Sequence, residues 1–195
     1  MIYEFDESGR TQGYGQPAQL GATSQGVRRY YTYFDGNSYI ALPAASYSAG
    51  QQLVISFNTN RIVNGPYKRF LGASDYSVSV DTGNNGRVFK LAGVTAEFDG
   101  VPVVSGVTAL PEDNQWHELV VRLSASFHGV LELGGLSVSA GKRVNAYFRE
   151  CQIVGVAKYR MDTNAYPSLV FEDSLGNNDA QGYNFQPSSF VQELP

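Results

Sequence analysis

The chain has 195 residues, of which 16% are charged and 13% aromatic, and its formal net charge is −4. This length suits one all-β domain, and the lack of Lys and Arg clusters argues against a surface that neutralises nucleic-acid phosphates. No run of about 20 apolar residues occurs, so the sequence predicts no membrane-spanning helix.

The first 29 residues differ in composition from the rest of the chain. They are polar, rich in Gly, Gln and Ser, and show no sustained hydrophobic period. This composition predicts an extended N-terminal arm over residues 1–29, followed by one domain over residues 30–195. The first seven residues lack the basic start and apolar centre of a signal peptide, so none is predicted.

Period-two hydrophobic alternation from residue 30 onward predicts a succession of β-strands. In chain order the strands are predicted at 30–34, 39–42, 52–59, 76–81, 89–91, 94–98, 116–123, 130–133, 136–138, 152–159 and 168–172. Turn residues predict tight hairpins after 76–81, at Asp99-Gly100 and at Gly134-Gly135. No segment of helical length carries an apolar stripe, so the pattern indicates an all-β sandwich or barrel.

The order of these segments resembles the concanavalin A-like and laminin G-like jelly roll, including members carried by bacteriophages. The resemblance covers residues 30–173 and rests on five segments: 33–43 (YFDGNSYIALP), 53–57 (LVISF), 114–121 (NQWHELVV), 128–135 (HGVLELGG) and 153–171. It implies two antiparallel sheets, one of them concave, with rim loops that bind glycans or proteins. We therefore expect an all-β, two-sheet antiparallel jelly-roll sandwich with an extended N-terminal arm.

Aromatic and amide side chains in the predicted loops are the candidate ligand contacts. Sugar rings stack on exposed aromatic rings, and Asn and Asp accept hydrogen bonds from sugar hydroxyls. The predicted ligand-binding residues are Asn64, Tyr67, Asp81, Asn84, Asn85, Asn164 and Tyr166. Many relatives in the jelly-roll family also bind calcium through rim acids. Asp81 with Asn84 and Asn85 is more typical of a plain turn, so no cofactor is predicted and no metal ligand is placed.

Catalytic signatures in the sequence are weak. Glu97 and Asp99 alternate on one predicted strand, as paired glycosidase acids do, but Asp99 precedes a glycine turn and no third acid follows. His117 and His128 lie in different predicted strands, with no Cys or acid cluster at metal spacing. A Gly-x-Ser-x-Gly nucleophile motif is absent. The sequence therefore predicts a non-enzymatic protein, with a polysaccharide-cleaving glycoside hydrolase as the last alternative.

The leading hypothesis is a structural or binding protein of a virus particle, a bacteriophage capsid-decoration or tail surface protein. Laminin G-like domains usually work outside cells, yet this sequence has no export signal and no Asn-x-Ser/Thr acceptor. Its single cysteine, Cys151, lies in an apolar run that predicts a buried thiol. A bacteriophage particle is assembled in the bacterial cytoplasm and released by lysis, so its proteins need neither an export signal nor disulfides.

This hypothesis fixes the expected location and partners. We expect the chain at the virion surface, in contact with other virion proteins and with copies of itself, and without nucleic-acid or membrane partners. The alternative is a free carbohydrate-recognition domain. A receptor-binding tail protein would combine both functions.

Overall fold

The predicted alternation folds into two antiparallel β-sheets that enclose one apolar core. The computed structural model describes residues 30–58, 67–83, 86–110, 113–162 and 165–192. Within these ranges no α-helix occurs, only two 3₁₀ turns at Ala140–Lys142 and Pro187–Ser189. No helix in this part of the chain has the length and apolar character needed to cross a membrane. Residues 1–29, the predicted arm, lie outside the described ranges, and the compact unit that holds the sandwich is Tyr31–Val191.

The strands are short and follow one another closely along the chain. They are β1 (Tyr30–Asp35), β2 (Tyr39–Ala41), β3 (Ala45–Tyr47), β4 (Gln52–Asn58), β5 (Arg69–Ala73), β6 (Ser79–Thr82), β7 (Phe89–Ala92), β8 (Val94–Phe98), β9 (Val101–Pro102), β10 (Trp116–Leu123), β11 (Phe127–Gly129), β12 (Leu131–Leu133), β13 (Asn145–Ile153), β14 (Ala157–Arg160), β15 (Val170–Phe171), β16 (Ala180–Tyr183) and β17 (Phe190–Gln192). The predicted all-β class is confirmed.

The strands form two large sheets and one small ribbon. The eight-stranded sheet has the order β17-β1-β13-β4-β10-β8-β9, with β14 also paired to β13. The seven-stranded sheet has the order β15-β16-β2-β12-β5-β6-β7, and β3 pairs with β11. The paired strands run antiparallel, as in the central pairs β4–β10 and β5–β6.

The core lies between the two sheets and is built from alternate residues. Leu53, Ile55 and Phe57 of β4 are fully buried, and Ile55 faces the buried Leu119 of β10 in the strand register. Phe57 contacts Phe70 of the opposite sheet with ring centroids 4.9 Å apart. Burial of each such side chain contributes about 1.5–3 kcal/mol, so the interdigitated rings hold the sheets together.

The strand predicted at 168–172 is limited to Val170–Phe171, and two others differ from their expected bounds for reasons that the backbone shows. The strand predicted at 76–81 begins only at Ser79, because Tyr76 adopts a left-handed backbone conformation with φ 64° in the turn between β5 and β6. The strand predicted at 152–159 is two strands, since Gly155, with φ 78°, turns the chain back between β13 and β14. The turn predicted at Asp99-Gly100 is confirmed between β8 and β9.

The hairpin predicted around Gly134-Gly135 is wrong. β12 lies between β2 and β5, and residues 136–138 are not a strand. Gly134 has φ 78°, and a Cβ atom at this position would lie 2.0 Å from the ring of Phe34. The glycine therefore permits close approach of β1, and residues 134–144 form a loop beside the seven-stranded sheet.

Candidate functional site

Tyrosine, arginine, lysine and acidic side chains meet on the outer face of the seven-stranded sheet. They come from β2, β5, β6, β12 and β16 and from the loops beside them. We call this set the outer-face cluster: Tyr39, Tyr67, Arg69, Tyr76, Asp81, Glu132, Lys142, Arg143 and Tyr183.

A β-bulge in β5 places the central arginine. Arg69 pairs with Asp81 of β6, but the next registered pair is Leu71 with Val80, so Phe70 is an extra residue. Phe70 and Leu71 both enter the core, which leaves Arg69 and Gly72 on the outer face. A Cβ atom on Gly72 would lie 2.6 Å from Cδ of Arg69. Gly72 thus leaves room for Arg69 to lie along the sheet.

Arg69 and Asp81 form a buried ion pair. The guanidinium donates from Nε to Oδ1 and from Nη2 to Oδ2 of Asp81, the latter at 2.8 Å, while Nη1 donates to the Ala73 carbonyl. Their side chains are 1% and 9% exposed. The ring of Tyr76 lies 5.0 Å from the guanidinium carbon. Such two-point, charge-assisted pairing fixes both side chains, so Asp81 orients Arg69.

A second arginine holds the 134–144 loop against the sheet. Arg143 donates to the carbonyls of Asn37 at 2.6 Å, Leu136 at 3.1 Å and Ser137 at 3.4 Å. Its guanidinium lies 4.8 Å from the ring centroid of Tyr39. The buried carboxylate of Glu132 accepts hydrogen bonds from the backbone and hydroxyl of Ser137. The hydrogen bonds of Arg143 and Glu132 therefore hold the 134–144 loop against the sheet.

Tyrosine rings surround these buried polar groups. Tyr39 and Tyr183 are cross-strand neighbours whose rings stack with centroids 4.8 Å apart. Burial, followed by the negative charge of Glu132, raises the pKa of Tyr39, so its hydroxyl stays protonated at neutral pH. Nζ of Lys142 lies 4.8 Å from the ring centroid of Tyr67 and 5.7 Å from that of Tyr76. Tyr67, Tyr76 and Tyr183 each keep an exposed ring surface.

The structure brings two of the seven predicted ligand residues together. Tyr67 and Asp81 belong to the outer-face cluster, and the carboxylate oxygens of Asp81 are both bonded to Arg69. Tyr166 is exposed in the turn before the edge strand β15, which is four strands from β5 in the sheet order. The remaining four lie outside the described residues: Asn64, Asn84, Asn85 and Asn164.

The other members of the outer-face cluster were missed by the sequence analysis. They lie on different strands and loops, so the sequence shows each as an isolated position. Lys142 and Arg143 are adjacent in the sequence, but two neighbouring cations do not predict a cluster with residues of distant strands. The one available signal was the polar residue between two leucines at Glu132, which predicts an outward-facing acid on a central strand.

The acids considered for glycosidase chemistry take separate partners. Glu97 accepts a hydrogen bond from Arg122 at 2.9 Å, while Asp99 bonds to Nδ1 of His117 at 2.7 Å. Nε2 of the same imidazole lies 3.0 Å from Asp113, so two carboxylates flank His117. Among the described residues no group of three or more His, Cys, Asp or Glu is placed to hold a metal ion.

The His117 ring is held between two exposed carboxylates and the core. It packs on Phe98, with ring centroids 4.9 Å apart. Burial by itself lowers the pKa of His117, but the hydrogen bonds and charges of Asp113 and Asp99 outweigh burial and raise it. The hydrogen bond from His117 lowers the pKa of Asp113. The imidazole thus joins the β8–β9 turn to the chain before β10.

A serine and a histidine also meet on the β3–β11 ribbon. Oγ of Ser46 lies 2.9 Å from Nδ1 of His128, and the two residues are directly opposite in the register. They border an open pocket of about 310 Å³ with Tyr47 and Phe127. A nucleophilic triad needs a third group that orients the histidine, and no acid in the described ranges bonds to His128. The contact is explained as a cross-strand hydrogen bond.

Comparison of the chain with protein-family models, curated proteins and solved structures found no match. Function is therefore inferred from the geometry and chemistry of the site. Among these three groups of described residues, the outer-face cluster is the one that combines exposed aromatic rings with buried, hydrogen-bonded charges. The outer-face cluster is the candidate ligand-binding site.

Proposed function

We propose that the chain is a non-enzymatic binding domain with a jelly-roll sandwich of the concanavalin A-like type, and that it recognises a saccharide on the outer-face cluster. One observation carries the proposal. The exposed rings of Tyr67, Tyr76 and Tyr183 lie around polar groups that are already held in place by hydrogen bonds. Saccharides present apolar C–H faces and many hydroxyls, and this surface offers partners for both.

Preorganisation favours this surface over a collection of mobile loop residues. Arg69 is fixed by Asp81 and by the ring of Tyr76, and the Tyr39 and Tyr183 rings are fixed by stacking. Side chains that are already ordered lose little conformational entropy when a ligand binds. A sugar with modest contact area therefore gains affinity from groups that need no rearrangement.

The positions of the two acids support binding rather than hydrolysis. Asp81 and Glu132 lie on β6 and β12, separated by β5 and offset by two residues, so their backbones are about 12 Å apart. Retaining glycosidases need carboxyl groups about 5–5.5 Å apart. Moreover, both carboxylates already accept hydrogen bonds, from Arg69 and from Ser137. These hydrogen bonds favour a binding role for both acids.

A glycan array of bacterial surface polysaccharides tests the proposal directly. We expect the wild-type protein to bind at least one saccharide, and Tyr76→Ala to weaken that binding about 2- to 13-fold, the loss of about 0.5–1.5 kcal/mol of ring stacking. Tyr166→Ala is the matched control, since Tyr166 is 44% exposed and Tyr76 46%. The proposal is wrong if the wild-type protein binds nothing on the array, or if both variants bind equally.

We further propose that the domain acts at the surface of a bacteriophage particle, as a capsid-decoration or tail protein. The resemblance of residues 30–173 to phage-borne jelly rolls supports this setting, as does the absence of an Asn-x-Ser/Thr acceptor. Other virion proteins and further copies of the chain are the proposed partners. Immunogold labelling of particles purified from the lysed host should decorate their surface. Unlabelled particles would contradict the setting without bearing on saccharide binding.

A further inference from the structure

This inference rests on the proposed saccharide binding and names the class of ligand. We propose that the outer-face cluster binds an acidic saccharide, whose carboxylate or sulfate group is received by Lys142 between the rings of Tyr67 and Tyr76. The argument depends on the local charge, on the surroundings of Lys142 and on those of its neighbour Arg143.

The local charge is opposite to that of the chain. Arg69, Lys142 and Arg143 give the outer-face cluster three positive charges, and Asp81 and Glu132 give two negative charges, so its net charge is +1 where the whole chain has −4. Arg69 is neutralised by its ion pair with Asp81. The excess positive charge therefore belongs to the side of the cluster formed by Lys142 and Arg143.

Lys142 is held by rings that do not neutralise it. Its Nζ lies 4.8 Å and 5.7 Å from the ring centroids of Tyr67 and Tyr76. In the described part of the chain no carboxylate forms an ion pair with this ammonium group. A cation–π contact orients the ammonium while leaving its N–H donors available for an acceptor. The two rings thus present a fixed, uncompensated cation at the surface.

Arg143 follows Lys142 in the chain and adds a second cation to the outer-face cluster. It is 8% exposed, and its guanidinium donates only to carbonyl oxygens, which satisfy its hydrogen bonds but carry no net charge. No carboxylate among the described residues lies within ion-pair distance of it. Glu132 bonds to Ser137 as Arg143 does and offsets part of its charge, and an anion bound at Lys142 would be attracted by the charge that remains.

The same rings that hold Lys142 also offer the stacking surface. A sugar ring on the exposed part of Tyr76 would place its substituents beside Nζ of Lys142. A neutral substituent gains one hydrogen bond there, whereas an anionic substituent gains a charge-assisted hydrogen bond and relieves the excess positive charge. The geometry therefore discriminates between sugars by their charge.

Two pairs of polymers that differ in charge test this inference: polygalacturonate with its methyl ester, and dextran sulfate with dextran. Binding is measured at physiological salt by biolayer interferometry on the full chain. We expect at least one charged polymer to bind tenfold or more tightly than its neutral partner, with affinity that falls as salt increases. A preference in the first pair assigns a carboxylate, and one in the second pair a sulfate.

Three variants locate the effect. Lys142→Gln should abolish the charge preference, and Lys142→Arg should retain most of it. Lys158→Gln removes the same charge from the other sheet, where Lys158 pairs with Glu150, and should leave the preference unchanged. Equal losses in Lys142→Gln and Lys158→Gln would overturn the assignment to Lys142, because they would indicate a general charge effect.

The failures of this inference and of the proposed function are distinguishable. If neither charged polymer binds more tightly than its neutral partner while the array shows binding of neutral sugars, the acidic ligand is wrong and saccharide binding stands. If no saccharide binds in either experiment, both are wrong. These outcomes depend on the wild-type protein alone, so they hold even if a variant does not fold.

Discussion

Removing the negative charge of Asp81 should strongly destabilise the protein. Asp81→Asn keeps the side-chain volume but leaves Arg69, which is 1% exposed, without its counter-charge. Breaking a buried ion pair from one side costs about 3–5 kcal/mol. For a chain of this size each kcal/mol lowers Tm by about 2–4 °C, so we expect a decrease of roughly 6–20 °C. Urea unfolding followed by circular dichroism measures the free energy of unfolding, and thermal unfolding followed in the same way measures Tm.

A second carboxylate–guanidinium pair provides the control. Arg122 and Glu97 lie 2.9 Å apart on the other sheet, but their side chains are 38% and 35% exposed. Glu97→Gln should therefore cost less than about 1 kcal/mol. The double variant Arg69→Met/Asp81→Leu should recover part of the stability lost in Asp81→Asn, because no charge remains buried. Equal unfolding free energies for Asp81→Asn and Glu97→Gln would refute the reasoning.

Three further predictions concern the core and the histidine bridge. Gly134→Ala should destabilise the protein by several kcal/mol in urea unfolding, because the new Cβ would meet the ring of Phe34, whereas Gly141→Ala, with open space around it, should not. Cys151, whose pKa is raised to about 12 by burial, should react with a thiol reagent only after the protein is unfolded, and rapid labelling of the native protein would contradict its placement. The raised pKa of His117 means that its bridge adds stability below the unfolded-state value of about 6.5 and loses it as pH rises through the folded-state pKa. The stability difference between wild type and His117→Gln should therefore shrink between pH 5.5 and pH 8.5, and a constant difference would disprove the linkage.

Strands with one buried and one solvated face were predictable from sequence. β4, β8 and β10 alternate between core residues and polar residues, and each was predicted within one residue of its bounds. β5 was missed because all five of its residues are buried, so no alternation marks it. β16 was missed because its inward positions are the small residues Ala180 and Gly182, which produce little hydrophobic signal.

The candidate site was less predictable than the fold because it depends on contacts between distant segments. Tyr67 and Asp81 were selected for their residue type and their places near predicted turns. The ion-pair partner of Asp81 lies 12 positions earlier, and the loop that carries Arg143 was interpreted as part of a hairpin. Only the pairing of β5 with β6 and the path of the 134–144 loop bring these charges together.

The extra residue in β5 affects both the core and the outer-face cluster. Phe70 and Leu71, which follow one another in the chain, both point into the core, and Arg69 stays on the outer face. Deleting Phe70 would leave Arg69 and Leu71 opposite Asp81 and Val80 in unbroken alternation, but it would remove the ring that packs on three other phenylalanines of the core: Phe57, Phe89 and Phe148. The extra residue therefore adds an aromatic side chain to the core without changing the face on which Arg69 lies, so the loss of Phe70 should lower the free energy of unfolding while Arg69 stays paired with Asp81.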